Sequence, residues 1–161
     1  MMLRQIVFSV LTVLVLLITG CGSPYVNIPP ARGDLATHDP NGKGVCDVTV
    51  AAMLAVVDQT PLTGHFQVVL PEGTTDLTYS MVLGRISDMA VASGGGEQVE
   101  IVATFEINGI RIRGADAEVD ILRPSTGIAP ELITVYLTWA PGSDWSVDRL
   151  RTWRGNIDRT L

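Results

Sequence analysis

Val99-Glu100-Ile101-Val102-Ala103-Thr104-Phe105-Glu106-Ile107 alternates with a period of two, and this run decides the class of fold. Val99, Ile101, Ala103, Phe105 and Ile107 fall on one face of an extended chain; Glu100, Thr104 and Glu106 fall on the other. Such alternation marks a half-buried strand. Beyond Asn108-Gly109 the apolar phase flips to Ile110 and Ile112. Asn-Gly as a two-residue hairpin turn would explain the flip. So would a bulge inside one long strand, with Arg113-Gly114-Ala115-Asp116 as the turn. The bulge is preferred, because the next segment then begins cleanly. Ala117, Val119 and Ile121 alternate with Glu118 and Asp120 as far as Arg123-Pro124. After a loop from Ser125 to Pro130, Glu131 to Trp139 reads as a strand with Ile133, Val135, Leu137 and Trp139 inward. Pro141-Gly142-Ser143-Asp144 then turns the chain into a last strand, Trp145 to Trp153.

Upstream the period changes. Val45 to Gln59 reads as a helix, with Asp47 suited to its first turn and Thr60-Pro61 as its stop. It is apolar on almost every face, so packing on two sides is expected. His65 to Leu70 is a short strand. Thr74 or Thr75 caps a second helix running to about Ala92. Leu77, Met81, Leu83 or Gly84, Ile86 and Met89 recur there at helical spacing. Ser93-Gly94-Gly95-Gly96 forms a link. The expected fold is α+β over residues 45–161: two helices packed on one side of a curved antiparallel sheet of four to five strands.

The front of the chain is of another kind. Arg4 precedes Ile6 to Ile18, thirteen residues with only Ser9 and Thr12 polar. A membrane-spanning helix needs about 20 apolar residues, so the run is short for a span and right for a cleaved leader. It ends in Ile18-Thr19-Gly20-Cys21. These four residues resemble the lipobox of bacterial lipoproteins: an aliphatic residue, a small or β-branched one, Gly or Ala, then Cys. The resemblance implies residues 1–20 as signal peptide, cleavage between Gly20 and Cys21, and lipid on the Cys21 sulfur. Two or three acyl chains, at about 0.8 kcal/mol per buried methylene, would anchor the chain permanently. It places the protein in the cell envelope. Gly22, where an Asp would favour the inner membrane, implies the periplasmic face of the outer membrane if the host has two membranes. Residues 21–44, with Pro24, Pro29, Pro30 and Pro40 among Gly33, Gly42 and Gly44, read as a lipidated tether.

Composition limits the partners. Once Arg4 leaves with the leader, 17 acids face 10 bases, a net charge of −7 on the mature chain. That balance argues against nucleic acid. The bases are concentrated late in the chain, where Ile107 to Leu161 carries seven acids and seven arginines. With Cys21 lipidated, Cys46 has no cysteine partner, and its apolar surroundings suit a buried, inert thiol.

The last three strands carry a second resemblance. Ile112-Arg113-Gly114, Ala117-x-Val119 and Gly142-x-x-Trp145-x-Val147 resemble the C-terminal half of nuclear-transport-factor-2-like cone domains, over about residues 97–153. Such domains place two or three helices before the first strand, where one is evident here, so a cystatin-like sheet wrapping one helix is the alternative. Cone domains include enzymes and non-catalytic binders, and fold does not decide between them.

Candidate sites follow from residue type. Asp116, Glu118 and Asp120 share a strand face and are expected to be solvated, pairing with Arg111, Arg113 or Arg151. No loop supplies the further oxygen ligands that calcium would need. Trp139, Arg149, Arg151 and Trp153, near Tyr136 and Arg154, are the candidate ligand-binding residues, as a pocket for an anionic or aromatic ligand with arginine as the fixed charge. No Gly-x-Ser-x-Gly, His-Glu-x-x-His or phosphate loop occurs. No cofactor is expected. The expected role is non-catalytic binding or assembly with an envelope protein. The enzymatic alternative would pair His65 with an acid among Asp116 to Asp120.

Overall fold

The computed structural model of the chain describes residues 25–93, 99–125 and 129–153. The leader, Gly20, Cys21, the triple glycine and Arg154 lie outside the described residues. The fold is α+β, with seven strands in one mixed, open sheet and two helices among the described residues. In chain order these are β1 (Tyr25–Ile28), α1 (Lys43–Asp58), β2 (His65–Val69), α2 (Asp76–Ile86), β3 (Ala90–Ala92), β4 (Ile101–Arg113), β5 (Asp116–Arg123), β6 (Glu131–Thr138) and β7 (Ser146–Trp153).

The spatial order is β3-β2-β4-β5-β6-β7. From β4 onward neighbouring strands are antiparallel, as the alternation requires. β2 departs from that pattern: it lies parallel to both β3 and β4. The expected antiparallel sheet of four to five strands is therefore corrected to a mixed sheet of seven. Two strands escaped the periodic reading. β3 is three residues long. β1 has two buried residues, Val26 and Ile28, and proline follows it at once.

β4 is the spine of the sheet. Its first half pairs with β2 and its second half with β1, while β5 takes the opposite edge. The register shifts between Ile107 and Gly109, so the long-strand reading with a bulge holds. The bulge lets Ile107 and Ile110 both face the core. Gly114, at φ 66, takes the first place of the two-residue turn into β5. A type II′ turn needs a glycine there. Between β6 and β7, Ser143 N–H donates to Ala140 O at 3.0 Å, with Pro141 and Gly142 (φ 82) at the centre. That is a type II turn.

Residues 25–28, within the stretch 21–44 expected as a tether, pair with β4 in the sheet. Asn27 pairs with Arg111 and also donates from Nδ2 to Asp34 at 2.5 Å. Its N–H reaches Thr37 O at 3.1 Å. The Ile28–Pro29 peptide bond is cis.

α1 starts two residues earlier than expected, with Gly42 as N-cap. Asp47 consequently lies beyond the first turn, where it binds Lys43 at 2.5 Å and Arg85 of α2 at 2.7 Å. Val48, Ala52, Met53 and Val56 are fully buried, and α1 meets both the sheet and α2. α2 is shorter than expected. Thr75 caps it by accepting from Thr78 N–H at 3.3 Å, but the chain turns extended at Ser87 and enters β3. Its inward row is Thr78, Val82 and Ile86, whereas Leu77, Met81 and Met89 are exposed. Thr78 can be buried because the cap satisfies its hydroxyl, with Thr75 Oγ1 at 3.1 Å.

Candidate functional site

The sheet has two unlike faces. Val119, Ile121, Ile133, Val135 and Leu137 point toward α1 and fill the core. Among the described residues no helix covers the other face. There the cross-strand rows are Arg111–Glu118–Tyr136–Arg149 and Gly109–Asp120–Thr134–Arg151.

This outer face is a continuous polar ladder. Arg111 donates from Nε to Glu118 at 3.0 Å and from Nη1 to Asp120 at 2.9 Å. The other Asp120 oxygen accepts from Thr134 Oγ1 at 2.6 Å. Thr134, 3% exposed, in turn accepts from Trp153 Nε1 at 2.9 Å. That bond fixes the plane of the Trp153 indole. The Arg151 guanidinium lies 3.6 Å from the ring centroid. One row along, Arg149 lies 4.1 Å from the centroid of Tyr136. Glu118 and Asp120 thus pair with Arg111, and Arg149 and Arg151 have no carboxylate partner among the described residues.

A guanidinium flat on a ring keeps its N–H edges free. It binds carboxylate or phosphate in a bidentate fork and is already ordered for the task. Arg149 and Arg151 are two residues apart on one strand face, about 7 Å. β7 is also the end strand of the sheet, and its far edge is unpaired among the described residues.

Trp139 is elsewhere. It lies past the end of β6, 43% exposed and not inward, with its N–H bonded to Ala115 O at 2.8 Å. Together with Trp145, Leu54 and Val147 it lines an open cleft of about 740 Å³ on the α1 side. Asp47, Lys43 and Arg85 also line it. Burial raises the Asp47 carboxyl, but its bonds to Lys43 and Arg85 outweigh this and hold it below the ordinary carboxylate value. The four expected ligand residues therefore divide between the two faces: Arg149, Arg151 and Trp153 share one platform, and Trp139 lines a different cavity. Thr134 is the member of the platform that residue type did not single out; the alternation Leu132, Thr134, Tyr136 places it on that face.

His65 and the β5 acids do not meet. His65 is level with Ile101 and Asp120 with Gly109, about 25 Å apart along β4. Cys46 is buried, its thiol pushed up by burial first and the Asp47 charge second. Among the described residues no three His, Cys, Asp or Glu side chains converge as metal ligands, and no helix is long and apolar enough to cross a membrane. Comparison with protein-family models, curated proteins and solved structures finds no match to the chain.

Proposed function

We propose that the chain is a lipid-anchored protein of the cell envelope, held by an acylated Cys21, whose α+β domain binds an acidic partner protein through the Arg149–Arg151 face of β7. The anchor rests on the lipobox resemblance of Ile18 to Cys21. The observation that carries the binding is the pair of guanidiniums stacked on Tyr136 and Trp153 without acids of their own. Arg85, Arg111 and Arg123 pair with carboxylates of this chain. Arg149 and Arg151 lie over aromatic rings on the end strand instead. An extended segment with acids at alternate positions matches them, because its same-face side chains recur at about 7 Å. β4 to β7 form an antiparallel meander against α1, and the cone-domain reading of residues 97–153 remains part of this proposal.

The test is titration with a synthetic peptide of alternating glutamate and valine, followed by calorimetry and by the amide spectrum of β7. Binding should weaken steeply with salt and fall at least tenfold in the Arg149→Ala/Arg151→Ala double variant. Unchanged affinity in that variant would rule the face out. A small-ligand reading has one observation in its favour, the indole-lined cleft beside α1. It would be preferred if ligands perturb Trp145 and Leu54 while the double variant binds normally.

A further inference from the structure

β1 begins at Tyr25, four residues after Cys21. We infer that the end of the sheet where β1 starts lies on the bilayer surface, with Trp139 and its turn seated in the lipid headgroup layer. This rests on the lipid-anchor reading and adds an orientation to it. Consecutive Cα atoms are about 3.8 Å apart, so Tyr25 lies no more than about 15 Å from the acylated residue whatever path the chain takes between them. The headgroup layer of one leaflet is itself about 5–8 Å deep. A domain fixed at Tyr25 has no room to stand away from the membrane.

The composition of that end fits the position. Tyr25 is level with Arg113, Arg113 with Asp116, Asp116 with Thr138 and Thr138 with Ser146. The Gly114-Ala115 turn and the Trp139–Trp145 connection both project from this row. The bond from Trp139 N–H to Ala115 O ties them into one rim. Tyr25 and Trp139 are 40% and 43% exposed. Trp139-Ala140-Pro141-Gly142-Ser143 carries no charge. Tryptophan and tyrosine favour the boundary between hydrocarbon and water, where the ring is buried and the polar atom stays wet. Arg113, 5.7 Å from the Tyr25 ring, is placed to meet lipid phosphate. Asp116 and Asp144 balance it, so contact depends on the aromatic rings and little on charge.

The experiment uses the acylated full chain in vesicles of phosphatidylethanolamine and phosphatidylglycerol whose acyl chains are brominated, a quencher of nearby indoles. Quenching of the unsubstituted chain should drop by half or more in Trp139→Phe and stay unchanged in Trp153→Phe. Both residues are exposed, so both variants should fold; circular dichroism checks this. The effect should survive high salt. A chain that floats with the vesicles but shows equal quenching in the two variants overturns the orientation and leaves the anchor standing. A chain that neither floats nor carries the mass of an acyl group overturns the anchor, and the orientation with it.

Discussion

Thr134 shows how one hydroxyl orders a binding surface. It is buried, donates to Asp120 and accepts from Trp153. Thr134→Val keeps the shape and removes both bonds. The variant should lose about 1–3 kcal/mol in urea denaturation, about 0.5–1.5 kcal/mol for each of the two bonds. It should also free the indole beneath Arg151, which a fall in Trp153 fluorescence anisotropy would report. Asp47 is the corresponding residue on the other face. Its carboxyl is held below the ordinary value in the folded protein, so its stabilisation is complete above about pH 4. That stabilisation is lost as pH falls through the folded value. Asp47→Asn should flatten the acid limb of a stability–pH curve and leave the neutral-to-alkaline limb parallel to the parent. Arg149, Arg151 and Trp153 were legible in the sequence as a cluster. What was not legible was that Trp139 belongs elsewhere: strand alternation places it inward, but the strand ends at Thr138 and the side chain leaves the pattern.

Among the elements, β4 was the most readable, because a phase flip at Asn108-Gly109 within a continuous apolar run leaves few interpretations. α2 was readable as a helix with a Thr75 cap but not in its rotation or its length. Leu77 and Met81 outrank Thr78 in hydrophobicity, yet Thr78 is the buried residue, its hydroxyl accepting from Thr75 Oγ1. Beyond Ile86, Met89 would have extended the spacing, but Ser87 Oγ accepts from Met89 N–H at 3.1 Å and starts a turn. Gly84 makes no close contact, since an added Cβ would meet nothing within 4 Å. Gly84→Ala should therefore stabilise the protein by about 0.5–1 kcal/mol, read as a higher urea midpoint at unchanged slope. β1 was hidden for a different reason. Tyr25-Val26-Asn27-Ile28 has too few residues to show a period, is bounded by prolines, and finds its partner only at Ile110 to Arg113.

At the scale of the whole molecule, the first and last strands described share one sheet but not one direction of attachment. Tyr25 opens β1 at the end of the sheet where β7 begins, and Trp153 closes β7 at the opposite end. An anchor ahead of Tyr25 and a partner gripping β7 would therefore pull along the strand axes, one from each end. The hydrogen bonds between antiparallel strands run across that axis. A force along it loads the β1–β4 rungs together, in shear, and does not peel them apart one by one. Rungs loaded side by side resist far more tension than the same rungs opened in turn, so β1 would serve as the mechanical coupling that keeps the domain folded under load.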